Sequence, residues 1–246
     1  MSETARTALV TGAARRLGLY LTEQLLEDGW RVFALSRQSS PELDALQRET
    51  LRIIRAGSYE LSALQQAMAA IQETADSLDL MVHNASMFEK DQFEKEREAG
   101  EDVAGFLDRL YQVHMRMPVI LNEGLRDLLH RGEGACVVNV TDIYAENPNP
   151  DYGLYCSTKA GLENLTKSYA RKWAPKVRVN SIQPGPIRFL PGEQNAQERK
   201  TILAETPMGS EGGFYPIYQG LRFIIENAYL TGSAIKIDGG RSIGQG

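Results

Sequence analysis

Thr7–Gly18 reads TALVTGAARRLG. The run Thr7–Thr11 is apolar and of strand length, and from about Arg15 to Asp28 the apolar positions recur at helical spacing. Gly29 then ends the helix as a C-terminal glycine. In the turn between, Gly12 allows a tight reversal and Gly18 lets helix and sheet approach closely. A helix starting directly after a buried strand offers unpaired N–H groups and the positive end of its dipole, which suits a pyrophosphate. The spacing departs from GxGxxG, so the turn by itself also reads as a plain strand–helix junction. Arg15 and Arg16 tip the balance, because two arginines in a buried turn call for an anion.

The same alternation continues outward. Arg31–Ser36, Leu51–Arg55, Leu78–His83, Ala135–Thr141, Val177–Ile182 and Ala234–Ile237 read as strands. Ala63–Ser77 and Gly153–Trp173 read as helices, and Asp102–Arg131 as a long helical stretch kinked or divided at Pro118. Strands alternating with helices predict an α/β fold: one doubly wound Rossmann domain over 1–246, with a mostly parallel seven-stranded sheet and ligands at the carboxyl ends of its strands. Met87–Glu101 reads as a charged, solvated loop or helix surface. Arg188–Gly213, rich in Gly, Pro and polar residues, reads as a substrate loop.

Across 246 residues the net charge is −5, which argues against a nucleic-acid protein. No run approaches the ~20 apolar residues of a membrane span. Cys136 and Cys156 stand alone, without a zinc-ligand pattern, and no apolar leader is present at the start, so a cytoplasmic setting is expected.

At the end of the second strand, where NAD-specific folds of this type carry a carboxylate, the chain reads Ser36-Arg37-Gln38-Ser39. Arg37 with Arg16 could fork around a 2′-phosphate, with Ser36 or Ser39 donating to it, so NADP(H) is favoured over NAD. Alternatively, Arg37 simply points to solvent. Further on, Tyr155 and Lys159 stand four apart and share one helix face. An ammonium beside a phenol favours tyrosinate and is expected to lower the tyrosine pKa toward a useful range.

TGAARRLG, Asn84-Ala85-Ser86, Tyr155…Lys159, Val179-Asn180-Ser181 with Pro184-Gly185, and Asp238-Gly239-Gly240 resemble, in order, the motifs of the short-chain dehydrogenase/reductase family. The resemblance implies a proton-donating Tyr155 and a Lys159 that binds the nicotinamide ribose. It implies cofactor contacts from Gly12, Arg15, Arg16, Leu17, Gly18, Ser36, Arg37, Asn84, Ala85, Ser86, Pro184, Gly185 and Ile187, and a homotetramer. Four positions depart from the family pattern. Asp142 stands for the catalytic serine, His114 for the helix asparagine, Arg16 for the middle glycine and Gly57 for an acidic residue after the third strand.

These departures resemble the pteridine reductase branch, which reduces pterins, dihydromonapterin and dihydrofolate. Ser86 and Phe88 then match pterin-contacting positions, and Tyr152 a second pocket tyrosine. A flat pterin sandwiched against Phe88 would gain about 0.5–1.5 kcal/mol beyond area burial. Reducing a ring C=N needs hydride on carbon and a proton on nitrogen. Asp142 could hydrogen-bond ring N–H groups or relay a proton to Tyr155, and the sequence leaves both open. The bland readings are loop packing for Phe88, a cap for Asp142, a structural hydrogen-bonded His114 and a sheet-packed His83. The competing functions are reduction of another carbonyl or enoyl substrate and non-catalytic NADP(H) binding.

Overall fold

In the computed structural model, which describes residues 5–91, 103–189 and 195–243, the strands form one sheet. They are β1 (Thr7–Thr11), β2 (Arg31–Ser36), β3 (Leu51–Arg55), β4 (Leu80–His83), β5 (Cys136–Val140), β6 (Arg178–Pro184) and β7 (Ala234–Ile237). Their order is β3-β2-β1-β4-β5-β6-β7, and every pairing is parallel. Parallel neighbours need crossovers, supplied by α1 (Arg16–Glu27), α3 (Leu61–Gln72), α5 (Met117–Gly124), α7 (Gly153–Trp173) and α9 (Tyr215–Glu226). The strand order reverses between β1 and β4, so their carboxyl ends open the crevice where such folds bind ligands.

Strand side chains alternate between faces, and the core follows. Ala8 and Val10 join Leu21, Leu25, Ile217 and Leu221 on the α1/α9 face. Leu9 joins Leu64, Ile71, Leu121 and Trp173 on the α3/α5/α7 face. Both faces are covered, which explains why β1, β4 and β5 are buried at every position.

Helix boundaries account for most departures from expectation. The helix expected over Ala63–Ser77 is Leu61–Gln72. The long stretch resolves into α4 (Val103–Tyr111), a π-turn (Gln112–Arg116), α5 and α6 (Arg126–Arg131). Pro118 lies in the first turn of α5, just past the π-turn. Its missing N–H removes a helical bond to the previous turn, and a widened turn absorbs that loss.

Short α2 (Pro41–Asp44) and the whole of α9 were not expected. Nor was α8 (Ala196–Ala204), within the segment read as a structureless loop. None of its residues is buried, so it shows no apolar stripe. It starts instead on a capping box between Asn195 and Glu198. Most of the charged Met87–Glu101 segment, and residues 190–194 of the expected substrate loop, lie outside the described residues.

Candidate active site

The turn after β1 is pressed against the end of β4. Asn84 Nδ2 donates to the Thr11 carbonyl at 3.1 Å and the Gly12 carbonyl at 3.3 Å. The Asn84 and Ala85 N–H groups donate to Thr11 Oγ1 at 3.0 and 3.1 Å. A Cβ on Gly18 would lie 2.1 Å from the Gly12 oxygen, so only glycine fits there. Arg15 occupies the N-cap of α1 without a side-chain cap bond, and the first turn holds no acid. That leaves the dipole end of α1 facing the crevice as an anion cradle. Leu17 is buried in the α1-side core. Arg16 takes φ +54°, the left-handed conformation a glycine would adopt at roughly 1–2 kcal/mol less strain.

The arginines are placed differently from expectation. Arg15 is exposed and Arg16 only half-buried, so neither is the costly buried charge the sequence implied. Arg16 is held on a distant segment. Its Nη2 donates to the Arg188 carbonyl at 2.9 Å, toward the segment after β6. Arg15 and Arg37 both lie within electrostatic reach of Tyr59. Both act on the hydroxyl of buried Tyr59, which burial raises and the two charges oppose, and the Arg37 guanidinium lies 5.7 Å from the Tyr59 ring. Ser36 and Ser39 make local hydrogen bonds. Their hydroxyls donate to the Gln38 carbonyl at 2.8 Å and to Asp44 at 2.7 Å.

On α7, Tyr155 and Lys159 are both buried on one face. Tyr155 Oη donates to Asp142 Oδ2 at 2.7 Å, while Asp142 Oδ1 accepts the Tyr144 N–H at 2.9 Å and caps the turn Ile143–Ala145. Lys159 Nζ donates to the Val140 carbonyl at 3.0 Å and lies 5.6 Å from the Tyr155 ring centre. Burial pulls Lys159 down to about 8, against the pull of Asp142 and Glu163. Burial raises Asp142, against the Tyr144 N–H, Tyr155 and Lys159.

Tyr155 departs from expectation. Its hydroxyl is held well above the usual phenol range by burial first and Asp142 second. The lowering expected from Lys159 is outweighed because the carboxylate, not the ammonium, sits at hydrogen-bond distance from Oη.

His114, on the π-turn, ties the pocket together. Its Nε2 accepts the Met87 N–H at 3.2 Å and meets Ser86 Oγ at 2.9 Å. Its Nδ1 therefore carries the proton and donates to Thr158 Oγ1 at 2.8 Å, and Thr158 donates to the Tyr155 carbonyl. Burial holds His114 far below the usual histidine range, so it is a neutral strut. His83 packs in the sheet with Nε2 on Asn122 at 2.9 Å.

Phe88 stacks on Tyr152 (4.4 Å, 11°) and stands edge-on to Tyr155 (4.9 Å, 82°). Tyr152 in turn faces Tyr144 at 6.4 Å. One face of Phe88 is thus taken by Tyr152, and the ring remains 38% exposed beside Tyr155. Tyr144 extends this wall unforeseen. Only its place two residues past Asp142 hinted at it.

Gly185 sits against Asp238, where an added Cβ would meet the Asp238 backbone at 2.7 Å. This brings the Pro184-Gly185 and Asp238-Gly239-Gly240 stretches together. Ile187 packs on the α1-side core. Lys90 bonds Glu198 at 3.2 Å, which ties α8 to the strap carrying Ser86 and Phe88.

A sheet of this order, with a glycine turn at β1 and a Tyr–Lys face on the helix after β5, defines a nucleotide-binding oxidoreductase class. The short chain dehydrogenase family matches residues 6–200, and the chain belongs to that family. A dihydromonapterin reductase from Klebsiella pneumoniae is 31% identical over 97% of each chain. One from an Enterobacter species is 29% identical over 97% of each. A short chain dehydrogenase from Leptospira borgpetersenii, solved with bound NAD+, superimposes with a TM-score of 0.84 at 22% identity, covering 97% of this chain and 93% of that one.

Proposed function

We propose that this oxidoreductase reduces a dihydropterin or dihydrofolate to the tetrahydro form with NADPH. The observation that carries this reading is the Tyr155–Asp142 hydrogen bond beside the exposed Phe88 ring. Relatives named dihydromonapterin reductase over nearly the whole chain support the substrate class.

The residues present fit the cofactor. The uncapped α1 start and the glycines at 12 and 18 suit a pyrophosphate, and Lys159 and Pro184-Gly185 border the nicotinamide side. Exposed Arg15 and Arg37, with no carboxylate between Ser36 and Ser40, suit a 2′-phosphate. NADPH, when bound, supplies the hydride. The pterin lies against Phe88, its reacting C=N toward Asp142. Protonated Asp142 would deliver a proton to the ring nitrogen, the bound nucleotide supplying the hydride for the carbon, so that C=N would become CH–NH. The resulting carboxylate is held by the Tyr155 hydroxyl, the Tyr144 N–H and the Lys159 charge.

A carboxyl, even raised by burial, is a far stronger acid than a phenol raised above its usual range. This assigns delivery to Asp142 and support to Tyr155. A serine at that position would polarise an oxygen, a task for ketones rather than ring nitrogens. The test is NADPH oxidation with dihydromonapterin, dihydrobiopterin and dihydrofolate. Absence of turnover on all three would remove the substrate assignment.

A further inference from the structure

Tyr155 and Lys159 are followed, four residues on and on the same buried face of α7, by Glu163. Its carboxylate is 7% exposed and takes three neutral donors from two other segments. Oε1 accepts from Thr141 Oγ1 and from Gln183 Nε2 at 3.1 Å, and Oε2 accepts from Ser181 Oγ at 2.8 Å. Gln183 orients for this purpose: its amide nitrogen spans Glu163 and Glu146, while its own Oε1 is buried without a partner. A buried carboxylate costs several kcal/mol unless its charge is used or matched. Here the donors are neutral, and the cation it favours is Lys159.

We propose that Glu163 is a positioning residue that keeps Lys159 in its ammonium form and thereby sets the alkaline limit of cofactor binding and turnover. The inference rests on the readings above, its binding arm on Lys159 as a nucleotide contact and its turnover arm on the pterin substrate. The charges facing Lys159 are Asp142 at the end of β5 and Glu163 on α7, with neutral His114 across from it. Behind Glu163, Glu146 is matched by Lys236 at 2.7 Å. When Asp142 carries the proton it will deliver, it no longer supports the ammonium, and Glu163 is the carboxylate that does. Burial already pulls Lys159 down to about 8, so losing this support moves its deprotonation into the working range.

The test compares wild type, Glu163→Gln and Glu163→Asp, with thermal melts to check folding. Nicotinamide nucleotide affinity is read by fluorescence, and dihydropterin turnover by NADPH absorbance, both from pH 6 to 9.5. The Gln variant is expected to move the alkaline fall of both curves down by about one pH unit, losing about tenfold at pH 8.5 and little at pH 6.5. The Asp variant keeps the wild-type limb. Should Glu163→Gln not fold, Glu163→Met, similar in length and apolar, is expected to give the same shift. An unmoved limb in the Gln or Met variant, whatever its overall activity, overturns the proposal. A shifted binding curve in a chain inactive on every pterin upholds it while sinking the substrate assignment.

Discussion

Replacing Lys159 with Met removes the one ammonium buried on the catalytic face of α7. In an unfolded chain this lysine titrates at its ordinary 10.5, whereas burial in the fold pulls it to about 8. The folded state therefore binds fewer protons between those values. The cost of burying the charge is fully present below about 8 and fades as pH rises toward 10.5. A gap of 10.5 − 8, at ~1.4 kcal/mol per unit, is about 3 kcal/mol at pH 7. Methionine fills the same channel but leaves the Val140 carbonyl without its donor, a loss of about 1 kcal/mol. The net expectation is about 2 kcal/mol of added stability at pH 7, or roughly 4–8 °C in Tm for a chain of this size. Near pH 10 the gain should vanish, and turnover should be lost throughout. Urea unfolding at pH 7 and pH 10 measures both. A variant less stable than wild type at pH 7, or an equal difference at the two pH values, would refute the reasoning.

Three further outcomes follow from the site. Tyr155→Phe keeps nucleotide affinity within about threefold but lowers kcat by about a hundredfold or more, because Asp142 loses the donor that steadies its carboxylate; unchanged kcat would count against Tyr155 as that support. Arg37→Ala and Arg15→Ala each weaken NADPH binding by about tenfold or more with little effect on NADH, read by fluorescence titration, and parallel losses for both nucleotides would count against a 2′-phosphate site. Gly18→Ala drives a Cβ to 2.1 Å from the Gly12 oxygen and 2.5 Å from Asn84 Nδ2, so it should cost about 2–4 kcal/mol of stability and most nucleotide affinity; wild-type unfolding and binding would show that the turn is not the close-packed cradle described.

The succession of strands was legible because it rests on local periods. Apolar runs of strand length and stripes at helical spacing need only near neighbours to be recognised, and β1, β2, β3, β7 and α7 begin and end where the pattern placed them. The Tyr155–Lys159 face was legible for the same reason, since four residues make one turn. α8 was not, because a surface helix that buries nothing leaves no stripe.

What only the tertiary structure decided is where charges meet and how dry they are. The lysine expected to acidify Tyr155 is outweighed by Asp142, thirteen positions upstream but 2.7 Å away. Arg16, expected to fork with Arg37 around a phosphate, reaches across 172 positions to the Arg188 carbonyl. Glu163 stood in plain view at the next four-residue step, yet its meaning depends on Thr141, Ser181 and Gln183 closing around it. Periodicity is a property of neighbours along the chain, so sequence carries it. A protonation state is the sum of burial and fields from segments that only folding brings together.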